Sequence, residues 1–140
     1  MKKLNELDLK ILRRLTTNAR VPLRDVAEGE NSSRSSVNQR LTRMIENGVL
    51  TSLKYHVNPK KIGYNTCTYV GVRLERGSLY KEVAERMREI PEIVECHFTT
   101  GPYTMLIKLY AIDNNDLMRI LNGIIQSIPG VVATETLISL

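Results

Sequence analysis

The apolar residues of this chain change their spacing partway along it, and that change limits the folds available. Through residue 48 they recur every three or four positions, as a helix requires. From residue 66 onward, stretches of every-second-residue alternation take turns with stretches of helical spacing. One helical bundle or one sheet sandwich cannot satisfy both halves. The pattern predicts an all-helical first part and a mixed second part, and 140 residues suffice for two small domains.

In the first part, Leu7, Ile11 and Leu15, with Leu12 beside them, mark a helix over residues 4–17. Asn5 is its N-cap, and Asp8 sits in the first turn, where the macrodipole favours an anion. Asn18 and the Val21-Pro22 pair end it. A short helix over residues 23–28 turns Leu23, Val26 and Ala27 inward, and Gly29-Glu30-Asn31-Ser32 is a turn. Ser33 caps a third helix to residue 46, striped by Val37, Leu41, Met44 and Ile45 and ended by Gly48. These are the parts of a helix-turn-helix. Small Ala27 lets two helices approach, Asn31 takes the left-handed conformation the turn needs, and Val37 plugs the gap.

The outer surface of the third helix holds no acidic residue before Glu46. Its DNA-contact candidates are Ser33, Arg34, Ser35, Ser36, Asn38, Gln39, Arg40 and Arg43. Ser35, Asn38 and Gln39 suit base edges, while the arginines suit phosphates or base edges near the helix ends. For Arg40 the alternative is a salt bridge inside the domain. Charge placement agrees: residues 1–64 carry 13 Lys/Arg against 6 Asp/Glu, and residues 65–140 carry 7 against 9. One end is suited to a polyanion and the other is not.

Residues 49–57 read as a short strand or β-ribbon, and Asn58-Pro59-Lys60-Lys61-Ile62-Gly63 breaks it as a hinge. A strand over residues 66–74 follows, with Val70, Val72 and Leu74 on one face. Next come a helix capped by Ser78, reaching residue 90 and stopped by Pro91, and a strand over 94–99. Gly101-Pro102-Tyr103 turns the chain into a strand over 104–111. Asn114 or Asn115 caps a helix that Pro129-Gly130 stops, and residues 131–140 form the last strand. The order β-α-β-β-α-β is the ferredoxin-like arrangement, with both helices on one sheet face. Dimerisation would cover the other face. The expected fold class is α+β: an N-terminal three-helix winged helix-turn-helix (1–50), a strand and hinge (51–64), and a C-terminal ferredoxin-like domain (65–140).

Several functions are disfavoured. No apolar run approaches the roughly 20 residues needed to span a bilayer. The opening Met1-Lys2-Lys3-Leu4-Asn5-Glu6 lacks a secretion signal's apolar core, so a cytoplasmic protein without membrane attachment is expected. Cys67 and Cys96 have no metal or redox spacing. Cys96 and His97 adjoin in a strand, so they point to opposite faces and make no catalytic dyad. His56 and His97 are too few for a metal site. No catalytic residue, metal or cofactor is expected.

The pieces resemble the leucine-responsive/asparagine-regulator (Lrp/AsnC) family over nearly the whole chain. Leu7-Asp8-Leu9-Lys10-Ile11-Leu12 with Asn18-Ala19-Arg20 is similar to that family's first helix. Arg40-Leu41-Thr42-Arg43-Met44 with Glu46-Asn47-Gly48-Val49-Leu50 is similar to the end of its recognition helix, and residues 58–64 to its hinge. Glu95-Cys96-His97 with Gly101-Pro102-Tyr103 resembles its central hairpin. Ile128-Pro129-Gly130-Val131 with Thr134-Glu135-Thr136 resembles its last strand.

The resemblance implies a transcription regulator that binds double-stranded DNA and forms homodimers, often joined into tetramers or octamers. It also implies an amino acid or related small molecule bound between dimers, with Gly101, Tyr103, Thr104, Thr134 and Thr136 as effector-site candidates. That family usually has apolar residues where this chain has Glu30 and Ser32, so a more open turn is expected here. It commonly has acidic residues where Pro102 and Thr104 stand, so a free amino acid is a weaker expectation here than the family implies, and another ligand or none is the alternative. The alternatives are a sirohaem decarboxylase, similar in both halves, with His56 or His97 acting on the tetrapyrrole, and a sensor module that no longer binds DNA.

Overall fold

The computed structural model describes residues 3–140. The chain forms two compact units that meet between His56 and Val57. The first holds three helices: α1 (Glu6–Thr17), α2 (Leu23–Gly29) and α3 (Arg34–Glu46). Asn5 caps α1 as expected, its side chain accepting from the Asp8 N–H, while the Asp8 carboxylate accepts from the Asn5 N–H. This capping box satisfies two otherwise orphaned donors. Ile11, Val26, Ala27, Val37 and Met44 form the buried centre, ringed by half-buried leucines. Asn31 has φ 51°, the left-handed conformation expected of it.

Residues 49–57 correct one expectation, because no strand forms there among the described residues. The alternating apolar side chains are outside, with Leu53 81% and Tyr55 77% exposed. Alternation marks a chain able to pair, but a strand also needs a neighbour for its N–H and C=O groups. Tyr55 instead lies beneath the Arg20 guanidinium, 4.9 Å from its ring centre.

The second unit contains β1 (Thr66–Leu74), α4 (Tyr80–Arg88), β2 (Ile93–Phe98), β3 (Met105–Ala111), α5 (Asn114–Met118) and β4 (Val131–Ile138). The strands make one sheet in the order β2-β3-β1-β4 with every pairing antiparallel, which is the expected ferredoxin-like topology. Val70, Val72, Leu74, Met105, Ile107 and Leu109 point to one face and pack with Val83, Met87, Ile120 and Ile125 from the helical layer.

Two helix starts differ from expectation. Ser78 makes no cap; it lies in a 3₁₀ turn (Gly77–Leu79) ahead of α4. Asp113, rather than Asn114 or Asn115, caps α5 by accepting from the Asp116 N–H at 2.8 Å. Beyond α5 the helix widens into a π segment (Arg119–Ile124) and tightens into a 3₁₀ turn (Ile125–Ser127). Leu117, Ile120, Leu121, Ile125 and Ile128, spaced as one helical stripe, all reach the core.

Candidate nucleic-acid interface and effector cleft

The exposed side of α3 is the first candidate site. Ser33 caps the helix: its Oγ accepts from the Ser36 N–H at 3.1 Å, and its hydroxyl donates to Ser36 Oγ at 2.8 Å. Its hydroxyl is therefore engaged in starting the helix. Arg34, Ser35, Ser36, Asn38, Gln39 and Arg43 are all exposed. Among the described residues neither Arg34 nor Arg43 has a carboxylate partner. The structure thus brings together polar groups able to read base edges, flanked by unneutralised cations.

Arg40 makes the salt bridge inside the domain that was its alternative reading. Its Nε donates to Asp8 Oδ1 at 2.6 Å, and its Nη2 donates to Asp8 Oδ2. The Asp8 carboxylate is fully buried, so it needs a fixed cation, and Arg40 supplies both donors of a forked pair. The pair with Arg40 holds the Asp8 carboxyl below its ordinary range, against the opposing pull of burial. Sequence spacing alone cannot show which arginine on α3 turns back towards α1.

The turn is also closed rather than open. Glu30 is not an unpaired acid in an apolar slot, because Arg14 Nε donates to its Oε1 at 2.6 Å. The Ser32 N–H reaches back to the Ala27 carbonyl at 2.9 Å, and its hydroxyl donates to the Glu30 carbonyl at 3.3 Å.

In the second unit a cleft of about 310 Å³ is lined by Gly71, Arg73, Pro102, Tyr103, Ala133, Thr134 and Glu135. Gly101 makes the turn above it, with φ 99°. The Tyr103 ring lies over Gly71, where an added Cβ would stand 2.7 Å from ring atoms. Glycine at position 71 is what lets the ring sit against the sheet. The Tyr103 hydroxyl donates to Glu135 Oε2, and that bond raises its pKa. Arg73 lines the same cleft, and its positive charge opposes the rise. A carboxylate and a guanidinium within one small cleft can receive the ammonium and carboxylate of a zwitterion.

Of the effector candidates, Tyr103 and Thr134 line the cleft, whereas Gly101, Thr104 and Thr136 do not. Thr134 and Thr136 pair with Val72 and Val70, so their side chains share the helix-covered face. The Thr134 hydroxyl accepts from Gln126 Nε2 at 2.9 Å. Glu135 lies between them and points to the opposite face with Tyr103, as strand alternation requires. Thr104 binds strands together: its N–H donates to the Val72 carbonyl at 2.9 Å, and its Oγ1 accepts from the Leu74 N–H at 3.2 Å. Gly71, Arg73 and Glu135 also line this candidate cleft and were not among the residues expected from sequence. The available signal was Glu135 itself, the acid between the two threonines.

Cys96 pairs with Ile107 on the core side and His97 with Leu106 on the other, which keeps them apart. Burial pushes the Cys96 thiol up, away from a reactive thiolate. His97 is exposed beside Glu95 at 3.4 Å, and His56 is exposed as well. No cluster of three metal-ligating side chains occurs among the described residues, and no helix there is long and apolar enough to cross a membrane.

Comparison with known proteins gives these sites a context. Residues 4–51 match the winged helix-turn-helix DNA-binding family, and residues 67–140 match the Lrp/AsnC ligand binding domain. The regulatory protein AsnC of Haemophilus influenzae is 32% identical over 140 residues, covering all of this chain and 93% of that protein. The solved structure of Escherichia coli AsnC superposes with a TM-score of 0.92 at 30% identity, covering 99% of this chain and 93% of that one. A transcriptional regulator from Neisseria meningitidis, solved as a complex with L-Met, shares the fold with a TM-score of 0.92 at 22% identity, covering 99% of this chain and 90% of that one. With both halves matched in order and a relative 32% identical over the whole of this chain, this chain belongs to the Lrp/AsnC family of transcription regulators.

Proposed function

We propose that this protein regulates transcription as a homo-oligomer that reads double-stranded DNA with α3 and binds a small zwitterion at the Arg73–Tyr103–Glu135 cleft. The carrying observation is the free face of α3: Asn38 and Gln39 lie exposed between Arg34 and Arg43, beyond a helix-turn-helix whose core and turn are intact. Asn and Gln suit bidentate contacts to adenine, and Arg suits phosphate or guanine. Oligomer formation is supported by the uncovered sheet face, where Tyr69 and Leu137 are exposed. A dimer carries two copies of α3, which suits a near-palindromic site with half-sites about one helical turn apart, or a multiple of it.

The amino-acid class of effector is supported by the Neisseria regulator's complex with L-Met and by the paired charges of the cleft. Glu135 supplies from the last strand the carboxylate that Pro102 and Thr104 do not. Residues 51–64 serve in this reading as the connector, and the cytoplasm is the expected compartment.

The test is fluorescence anisotropy on duplex DNA over a salt series. Tight binding at low salt that weakens steeply as phosphate counterions compete supports the reading; no binding at low salt sinks it. Repeating the titration with L-Met present tests the effector: a shift in affinity is expected in wild type and none in Glu135→Gln.

A further inference from the structure

Resting on the DNA-binding reading above, we propose that Arg14 and Glu30 are positioning residues for sequence readout: their ion pair seats the lead-in to the recognition helix. Along α1, Asp8, Ile11 and Arg14 stand three residues apart, which puts them on one side of the helix. Ile11 is fully buried among Val26, Val37 and Met44. On either side of it α1 extends a charge of opposite sign. Asp8 takes Arg40 from the middle of α3, and Arg14 takes Glu30 from the residue that follows α2. The recognition helix is therefore held to α1 both along its length and at its approach.

Three further observations support a built seat. In the Arg14–Glu30 pair the acid is sheltered, 15% exposed against 85% for Glu6 in the surface pair on α1, while Arg14 and Lys10 are similarly exposed at 38% and 43%. The guanidinium lies against Gly29, where an added Cβ would stand 2.3 Å from Nη2 and 2.6 Å from Cζ. Gly29 lacks the positive φ that would itself favour glycine, so the missing side chain serves space rather than backbone freedom. Finally, only Asn31 and Ser32 separate Glu30 from the Ser33 cap. Asn31 is fixed at φ 51°, and Ser32 is bonded to Ala27 and Glu30. A displacement of Glu30 has little slack to absorb it before α3 begins. Phosphate attraction tolerates a small shift of α3, but hydrogen bonds to base edges do not.

The experiment uses the full chain. The wild type enriches an operator from random duplexes, and the ratio of its affinities for that operator and for an unselected duplex is measured at one salt concentration. Glu30→Gln and Arg14→Gln change net charge in opposite directions, so they move binding to the unselected duplex in opposite directions. Positioning predicts that both lower the ratio, by about three- to fivefold for a sheltered surface pair. The double variant should lose no more than either single one. Hydrogen exchange in α1 and α3 confirms that each variant is folded at the assay temperature. A ratio within twofold of wild type in the single variants, or additive losses in the double, overturns the inference while DNA binding stands. If the wild type enriches no sequence, the DNA-reading function fails, and this inference with it.

Discussion

The two units of this protein reach a defined interior by different physical means. The C-terminal unit buries fifteen apolar side chains among its described residues, from both the sheet and the helical layer. The N-terminal unit buries five, and at its centre it also buries a charge, Asp8, held by Arg40. A large apolar interior can select its arrangement by shape and volume. A three-helix unit has fewer side chains to interlock, and here the forked Asp8–Arg40 pair joins α1 to α3 while the single Arg14–Glu30 bond ties α1 to the residue after α2. The two proposed functional surfaces differ in the same way. On α3 the unneutralised arginines face outward, whereas in the cleft the key carboxylate already has a partner, the Tyr103 hydroxyl.

The largest expected effect tests this contrast directly. Arg40→Ala leaves Asp8 buried without its cation and should cost about 3–5 kcal/mol. Hydrogen exchange should show α1 and α3 losing protection while β1 and β3 keep theirs; unchanged protection in α1 would break the comparison. Asn38→Ala should next remove about 1–3 kcal/mol of discrimination at one base pair, read as relaxed preference there in a selected pool. An equal loss on every sequence would instead mark Asn38 as a backbone contact. Gly71→Ala drives a Cβ into the Tyr103 ring and should weaken effector binding about tenfold or more, on the scale of an overpacked site. Calorimetry with L-Met measures it, and an unchanged affinity would remove Tyr103 from the site.

The smallest effect near neutrality is the response to acid. The Asp8 carboxyl is held below its ordinary range, so its stabilisation is fully present above that range. It is lost only as pH falls below about 4, through the folded value. Asp116 in the second unit is also held low, by the Ile112 N–H and Arg119, but it is less buried. Loosening in acid should therefore appear first in α1 and α3, followed by hydrogen exchange between pH 5 and pH 2.

Much of this was legible in the residues. The helical stripes of α1 and α3 marked their buried faces, Asn31 signalled its own left-handed turn, and the order of the four strands followed from period and breakers. Residues 49–57 misled because alternation reports the ability to pair and not the presence of a partner. Thr134 and Thr136 share a face, as alternation requires, but that face is the one the helices cover. Only pairing with Val70 and Val72 decides which side of the sheet an alternating strand turns inward.

What the sequence determined alone is the fold class, the two-part division and the polar, basic face of α3. These follow from period, turn chemistry and charge order, which are local properties of a chain. Tertiary structure alone decided which charges are free and which are committed. Arg40 belongs to Asp8, 32 residues away, Arg14 to Glu30, 16 away, and Tyr103 to Glu135, 32 away. The reason is physical: an ion pair or a cleft is set by distances of a few ångströms between residues remote in the chain, and local spacing carries no such distances.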